Sequence, residues 1–226
     1  MCGRFIQSTH ADQLAKRFNL LAMPDLTPRY NIAPSQPVLA LRMTEPGQRE
    51  AMSLRWGLIP AWSSEPRTAY STINARAETV AEKPTYRQAF RQRRCLIPAD
   101  GFYEWRNVGS RKQPYCIAPV NGRPLAFAGL WDRWERDGQV VESCTILVTQ
   151  ANALIARIHD RMPVILDPKD EAVWLDPTIT DPAVLKPLLA PCPVEWLRVW
   201  SVSTAVNTTR HDGPELMAPL QVGLDL

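Results

Sequence analysis

The sequence predicts an α+β fold, a single domain over residues 1–226 that is dominated by a twisted antiparallel sheet or barrel with short flanking helices. Apolar and aromatic runs of strand length follow one another through the second half of the chain, separated by turn signals. The 226 residues, 45% of them hydrophobic, can bury one core of ordinary size. No composition shift, repeat or low-complexity linker divides the chain.

The helices are predicted from the spacing of apolar residues and from proline. Leu14 and Phe18 lie four residues apart, which predicts a short amphipathic helix over residues 11–19. Pro84 suits the first turn of a helix, so a second helix should begin there. Further short helical segments are predicted at 151–158, 170–176 and 182–189.

The strands are predicted from apolar runs bounded by turn residues. Glycine-containing turn signals near residues 109, 122 and 138 separate the four central runs, which indicates successive antiparallel hairpins. The predicted strands span 38–43, 52–59, 95–105, 113–119, 125–134, 140–149, 162–166 and 194–202.

Composition narrows the classes of protein to which the chain can belong. The N-terminus runs directly into polar residues and no long uncharged apolar stretch occurs, so we expect a cytoplasmic monomer without a signal peptide or membrane partner. The five cysteines are widely spaced, form no CxxC pair and are accompanied by only three histidines. Neither a disulfide framework nor a metal site is expected, and no cofactor is implied.

The charge is suggestive of a nucleic-acid partner without proving one. The net charge is only +3, yet most of the 26 basic residues are arginines, whose forked guanidinium suits phosphate. Between Arg76 and Arg94 the basic residues outnumber the acidic ones by a local excess of about four. A solvated helix face is the alternative interpretation of this run.

Cys2 has a specific chemical potential because of its position. Loss of Met1 would leave its thiol beside a free α-amine, a 1,2-aminothiol that can condense with an aldehyde to an imine and then close a thiazolidine ring. The unperturbed pKa values, about 8.5 for the thiol and about 7.7 to 8.0 for the amine, suggest that a modest shift frees both groups near neutrality. The alternative is a small residue that merely follows a retained Met1.

Three polar clusters interrupt the apolar elements. Glu104 should alternate along a strand so that it shares a face with Phe102, and apolar walls would raise its pKa and make it a usable general acid. The alternative is a carboxylate paired with arginine at a sheet edge. For His159 the alternative is a core or helix-capping role, and for Asn74 it is a turn. The clusters are residues 74–76, 101–105 and 159–161.

Six short segments, spread in order over nearly the whole chain, carry a family resemblance. They are MCGRF at 1–5, PRYNIAP at 28–34, WGLIP at 56–60, NARAET at 74–79, PADGFYEW at 98–105 and IHDRMP at 158–163. Together they resemble the SRAP (SOS response-associated peptidase) family of abasic-site processing proteins, and residues 202–219 resemble its C-terminal segment. No chemical position departs from the family pattern.

The resemblance implies an activity and a catalytic set. After loss of Met1, Cys2 would cross-link covalently to the ring-opened aldehyde of an abasic deoxyribose in single-stranded DNA, shielding the lesion during replication. Glu104 would shuttle protons, His159 would assist and Asn74 would position Cys2. This is DNA repair chemistry of lyase type, and self-removal of Met1 would account for the hydrolase and protease label of an SOS response family.

The resemblance also implies the DNA contacts and partners. Arg4, Arg76 and Arg161 match residues that hold flanking phosphates. Independently of the resemblance, a bound strand needs a flat surface for the bases beside the lesion, which Trp62 would provide, and Pro34 is also included in the predicted DNA-binding set. Trp62 in the core is an equally open alternative. The expected partners are single-stranded DNA with abasic sites, in the nucleoid, and proteins of the replication fork.

Two other functions compete with this one. Glutamine amidotransferases also begin Met-Cys-Gly and use the terminal cysteine as nucleophile, although Arg4 replaces the branched apolar residue usual there. A non-catalytic single-strand binder, in which Cys2 is incidental, is the second rival.

Overall fold

The fold consists of twelve strands and a few short helices in a computed structural model that describes residues 2–45, 47–66 and 72–220. The helices are α1 (Ala11–Phe18), α2 (Arg87–Gln92), α3 (Glu171–Leu175) and α4 (Pro182–Leu185). The strands are β1 (Phe5–Gln7), β2 (Arg29–Ile32), β3 (Pro37–Glu45), β4 (Gln48–Trp56), β5 (Asn74–Arg76), β6 (Arg94–Ala99), β7 (Gly101–Val108), β8 (Arg111–Pro119), β9 (Leu125–Arg136), β10 (Gln139–Gln150), β11 (Arg161–Pro163) and β12 (Leu197–Ser201).

These strands form two sheets. The first sheet is antiparallel, in the order β12-β8-β7-β1-β2. In the second sheet β10, β4, β3, β6 and β9 pair in turn, and β9 pairs again with β10, so that these five strands close into a barrel. β5 and β11 pair with the C-terminal part of β10 on its two opposite edges. The predicted α+β class and antiparallel barrel are confirmed, although β10 pairs in parallel with β4 and β5.

The run predicted as one strand over residues 95–105 is two strands in different sheets. Asp100 separates them: its carboxylate accepts hydrogen bonds from the backbone N–H groups of Ser8 and Thr9, the latter at 2.8 Å. The next residue must be small, because a Cβ on Gly101 would lie 2.7 Å from the carbonyl oxygen of Ile117. The chain therefore leaves the barrel at Asp100 and enters the first sheet as β7.

Several predicted boundaries differ from the structure for local reasons. β4 ends at Trp56, because Gly57 adopts a φ of 129° that breaks the strand. The second helix begins at Arg87, after a series of turns that includes Pro84. Residues 151–158 contain only a 3-10 turn at Ile155–Arg157. The short strands β1, β2 and β5 were not predicted.

Aromatic rings join the two sheets. Phe5 of β1 lies edge-on to Trp56, with ring centroids 5.1 Å apart, and Phe102 of β7 lies 5.9 Å from Phe127. Phe5 also contacts Phe127, at 6.1 Å. Each such pair contributes roughly 0.5–1.5 kcal/mol beyond its buried area. The same buried cluster contains Cys2, so the start of the chain lies against the junction of the sheets.

None of the described helices is long and apolar enough to cross a membrane.

All five cysteines are buried as free thiols, as expected for Cys95, Cys116 and Cys144, and this leads to a testable pH dependence. Burial raises the pKa of the Cys116 and Cys192 thiols from 9.0 to about 12, and that of Tyr86 from 10.0 to about 12. The unfolded chain therefore releases these protons at lower pH than the native protein does. The free energy of unfolding should fall by about 1.4 kcal/mol per pH unit for each group, between pH 9 and 12 for the two thiols and between pH 10 and 12 for Tyr86.

Urea unfolding under reducing conditions at several pH values would measure this slope. The variant Cys192→Ala removes one titrating thiol and should show a shallower fall than the wild-type protein. A free energy of unfolding that is independent of pH across this range would contradict the prediction.

Candidate active site

Cys2 is held at the junction of the two sheets by its backbone. The side-chain amide of Asn74 donates a hydrogen bond from Nδ2 to the carbonyl oxygen of Cys2 at 2.8 Å. Cys2 is fully buried, and Asn74 is 8% exposed. Pairing of β5 with β10 places Asn74 opposite Ile146, which belongs to the same buried cluster as Cys2. Two of the predicted catalytic residues are thus in direct contact.

The second atom of the Asn74 amide is available for another partner. Oδ1 is buried and accepts no hydrogen bond from any of the described residues. A buried acceptor without a donor typically costs about 1–3 kcal/mol, so such atoms are rare in folded proteins. The amide therefore presents an open acceptor beside the backbone of Cys2.

Glu104 approaches the site from the first sheet. It lies on β7, is 3% exposed, and alternates with Phe102, which belongs to the buried cluster that contains Cys2. Tyr103, between them, packs instead into a separate cluster with Ile6. The predicted shared face of Glu104 and Phe102 is confirmed, and this face is directed toward Cys2.

The thiol of Cys2 is less acidic than the sequence suggested. Burial raises its pKa well above the ordinary value, and the negative charge of Glu104 raises it further. A hydrogen bond from the backbone N–H of Arg4 acts in the opposite direction but is weaker. The expectation that a modest shift ionises this thiol near neutrality is therefore wrong for the described conformation, because the thiol lies in an apolar cluster beside a carboxylate.

His159 lies where the chain turns into β11. Its side chain is 29% exposed, and its Nδ1 accepts a hydrogen bond from the backbone N–H of Arg161 at 3.0 Å while lying 2.8 Å from Oδ1 of Asp160. The first contact requires an unprotonated Nδ1, whereas the second is attractive when Nδ1 carries a proton. Nδ1 of His159 therefore lies between a backbone donor and a carboxylate.

Arg76 and Arg161 lie at the same end of β10. Arg76 pairs with Val148 and Arg161 with Gln150, and because these two partners are two residues apart, both arginines share a face of the sheet with Asn74. The structure therefore brings Asn74, Arg76 and Arg161 together.

The two arginines differ in how far they are already paired. Arg161 forms an ion pair with Glu78, with Nη1 and Oε1 2.6 Å apart. Arg76 is exposed, and within the described residues its guanidinium has no hydrogen-bonding or ionic partner. Arg76 is therefore the more available cation.

Arg4 has an internal role that the sequence did not reveal. Its guanidinium donates to Oδ1 of Asn31 at 2.7 Å and to the carbonyl oxygens of Val206 and Asn207 at 2.8 and 3.1 Å. Asn31, 1% exposed, in turn donates to carbonyls of residues 206, 208 and 211. The only sequence signal for this network is one polar residue between Tyr30 and Ile32. A phosphate contact of Arg4 stays a prediction.

Trp62 lies on the surface, so the core alternative is wrong. Its side chain is 63% exposed, in a loop fixed by a hydrogen bond from the N–H of Ala61 to Asp132 at 3.1 Å and one from Trp134 to the carbonyl of Ser63 at 2.9 Å. Pro34 is half-buried beside Ser35, whose N–H donates to the carbonyl of Trp56. Both residues are placed where a ligand can reach them in part.

Comparison with known proteins agrees with this architecture. The family described as SOS response associated peptidase (SRAP) matches residues 1–209. Abasic site processing protein YoqW of Bacillus subtilis is 40% identical over 222 residues, covering 96% of this chain and 99% of the relative. Abasic site processing protein YedK of Escherichia coli is 32% identical over 234 residues, covering 97% and 100%.

A solved structure of a protein from Bacteroides thetaiotaomicron has the same fold. It superposes with a TM-score of 0.87 at 27% identity, covering 96% of this chain and 99% of that one. With the family match over residues 1–209 and relatives at 32 to 40% identity, this chain belongs to the SRAP family.

Proposed function

We propose that this chain captures the aldehyde of abasic sites in single-stranded DNA as a covalent adduct on Cys2, in the service of DNA repair. The observation that carries the proposal is the environment of Cys2. The side-chain amide of Asn74 donates a hydrogen bond to its carbonyl oxygen at 2.8 Å, and the buried carboxylate of Glu104 raises the pKa of its thiol. Family membership and relatives named abasic site processing proteins support the substrate class.

The proposed chemistry starts with the loss of Met1, which lies outside the described residues. Hydrolysis of the bond between Met1 and Cys2 consumes one water and leaves a free α-amine on Cys2. The amine nitrogen bonds to the aldehyde carbon, and water leaves to give an imine. The thiol sulfur then adds to the imine carbon, its proton passes to the nitrogen, and a thiazolidine ring closes. Capture releases one water in total and requires no cofactor.

Glu104 is suited to carry out the proton transfers of these reaction steps. Opening of the cyclic abasic sugar needs a proton on the ring oxygen and removal of one from the hydroxyl on the neighbouring carbon, which one carboxyl group can do in turn. Because burial and Glu104 hold the thiol protonated, the ring-closing step needs a base close to Cys2. The same carboxylate fills that role. The free Oδ1 of Asn74 provides an acceptor that orients the new α-amine.

The neighbouring residues supply the strand-binding surface in this proposal. Arg76 and Arg161 neutralise phosphates beside the captured sugar, Trp62 and Pro34 contact the bases and sugars that flank it, and His159 relays protons at the edge of the site. Single-stranded DNA is the substrate because the lesion must enter the site without its complementary strand. We propose that the protein acts in the cytoplasm on nucleoid DNA as a single-domain monomer, in contact with the replication fork.

Substitution of Cys2 tests the nucleophile. Single-stranded DNA with an abasic site should give an adduct that survives boiling in detergent, and Cys2→Ala should abolish it. Cys2→Ser should leave at most a slow imine that borohydride traps, because a hydroxyl closes the ring less readily. Denaturing gels with and without borohydride measure this. An equal yield from DNA without an aldehyde, or an unimpaired Cys2→Ala variant, would rule the mechanism out, and glutaminase activity would favour the amidohydrolase.

Glu104→Gln tests the proton donor while preserving size and hydrogen bonding. Loss of one general acid costs roughly 10² to 10⁴ in rate, so adduct formation should slow by that factor with strand binding nearly unchanged. The Cys2 thiol should also alkylate faster at pH 8, since a charge that raises its pKa has been removed. Wild-type rates of both adduct formation and alkylation would assign Glu104 a structural role.

Arg76 and Arg161 can be separated by their different pairing. Arg76→Gln should weaken binding to single strands, most at low salt, and reduce the salt slope by about 0.7 for one lost phosphate contact. Glu78→Gln is the matched control, because it releases Arg161 from its ion pair and should strengthen binding. Equilibrium titrations over a salt series measure both. Unaltered affinity of the Arg76→Gln variant would exclude it from the DNA interface.

A further inference from the structure

The outer part of the hairpin formed by β7 and β8, residues 106–112, is a basic segment that extends beyond the site; it is called the arm below. Residues 106–112 are all exposed, and the arm carries three cations and no acidic residue. Gly109 makes the tight turn possible with a φ of 58°, a left-handed value that favours glycine. The three cations are Arg106, Arg111 and Lys112.

Side-chain alternation divides these three cations between the two faces of the hairpin. Arg106 is two residues beyond Glu104 on β7, so the two side chains share a face. Arg111 lies opposite Val108, which belongs to the same face, whereas Lys112 lies opposite Asn107 on the other. Tyr115 of β8 lies opposite Glu104 and is half-buried against the core. The face that carries Glu104 thus continues outward through both arginines.

The opposite face is partly covered by the C-terminal segment. The indole N–H of Trp105 donates to Oδ1 of Asn207 at 2.8 Å, and Trp105 packs against the cluster that contains Val206. On the face of the hairpin that carries Glu104, Arg106 and Arg111 are exposed. Among the described parts of the chain, neither guanidinium has an ionic or hydrogen-bonding partner.

Arg106 and Arg111 share this lack of partners with Arg76, and they differ in it from several other arginines of the described residues. Elsewhere Arg17, Arg42 and Arg49 form ion pairs with carboxylates, and Arg94 donates to several carbonyl oxygens. Charges that are exposed and unneutralised on one face raise the local positive potential and attract anions. The hairpin therefore has two cations to offer to a partner outside the chain.

The rise per residue of a β-strand gives the distances of Arg106 and Arg111 from Glu104 along the hairpin. A strand rises about 3.4 Å per residue, so Arg106 lies about 7 Å and the level of Arg111 about 14 Å beyond Glu104 along β7. Stacked nucleotides of one strand are spaced by about 3.4 Å, so this span corresponds to about two to four nucleotides.

We propose that this face of the hairpin is a second binding element for single-stranded nucleic acid, which holds phosphates about two to four nucleotides from the captured sugar. The proposal rests on the proposed function, since Glu104 marks the position of the sugar. Tyr115 provides an aromatic surface at the level of Glu104, next to the proposed position of the sugar. The two cations follow Glu104 along one face of the first sheet, whereas Arg76 and Arg161 belong to strands that pair with β10 in the other sheet.

The test compares R106Q/R111Q with K112Q in the full-length chain, using an intact single strand. R106Q/R111Q should bind about tenfold more weakly at low salt, and its salt slope should fall by about 1.4, or about 0.7 for each lost phosphate contact. K112Q removes one charge from the same hairpin on the other face and should change affinity less than about twofold. The urea midpoint of both variants should equal that of the wild-type protein.

Oligonucleotides shortened on one side of an abasic site give a second readout. Trimming one flank to a single nucleotide should abolish the difference between the wild-type protein and R106Q/R111Q, and trimming the other should preserve it. Equal effects of both trimmings, an equal loss in K112Q, or wild-type affinity of R106Q/R111Q would overturn the proposal. Because binding to an intact strand needs no aldehyde, failure to form an adduct with any DNA would refute the covalent mechanism without deciding the hairpin's role.

Discussion

The site of this protein depends on the contacts that fix residues 2–7 in place. Chain termini usually lie at the surface and are poorly ordered unless other elements bind them. β1 is only three residues long, yet it pairs with both β2 and β7. Phe5 inserts its ring between the two sheets, in contact with Trp56 and Phe127, and Asn74 binds the carbonyl of Cys2. Without these contacts, a reactive group so near the end of the chain would lose its position relative to Glu104.

The burial that fixes Cys2 also suppresses its ionisation. Desolvation disfavours a thiolate, and the neighbouring carboxylate disfavours it further. A buried, protonated thiol is protected from general electrophiles and oxidants, which react with thiolates. The proposed capture is compatible with this state because the amine attacks first, and the thiol is needed only when the imine carbon is already beside it. In this proposal the carboxylate of Glu104, which together with burial raises the pKa of the thiol, is also the base that removes its proton.

The elements that could be predicted from the sequence are those with enough residues to show a pattern. β8, β9 and β10 each extend over nine to twelve residues, so their apolar runs and turns were clear. β1 and β5 have three residues each, too few for any period, and they form because neighbouring strands offer an edge. The division between β6 and β7 was also hidden, because apolar residues continue on both sides of Asp100. The hydrogen bonds that turn the chain there come from Ser8 and Thr9, about ninety residues away in sequence.

The candidate site shows the same division between local and distant information. A strand pattern was sufficient to place Glu104 on the face of Phe102, and the chemistry of a 1,2-aminothiol was sufficient to single out Cys2. That Asn74 binds Cys2 could not follow from either pattern, because the contact joins the short strand β5 of one sheet to the segment that precedes β1 of the other sheet. The family resemblance predicted that Asn74 positions Cys2, and the structure shows a hydrogen bond from the Asn74 amide to the carbonyl oxygen of Cys2.

The position of the site at the junction of two sheets explains why its parts are so far apart in the chain. The barrel side contributes Asn74, Arg76 and Arg161 through the pairing of β5 and β11 with β10. The first sheet contributes Glu104 on β7, and the aromatic contacts between Phe5, Phe102, Phe127 and Trp56 fix one sheet against the other. In the proposed function, a strand of DNA that reaches Cys2 contacts both sheets. Close packing at the junction holds the carboxylate of Glu104 and the two arginines in one geometry, which is the arrangement that the proposed capture requires.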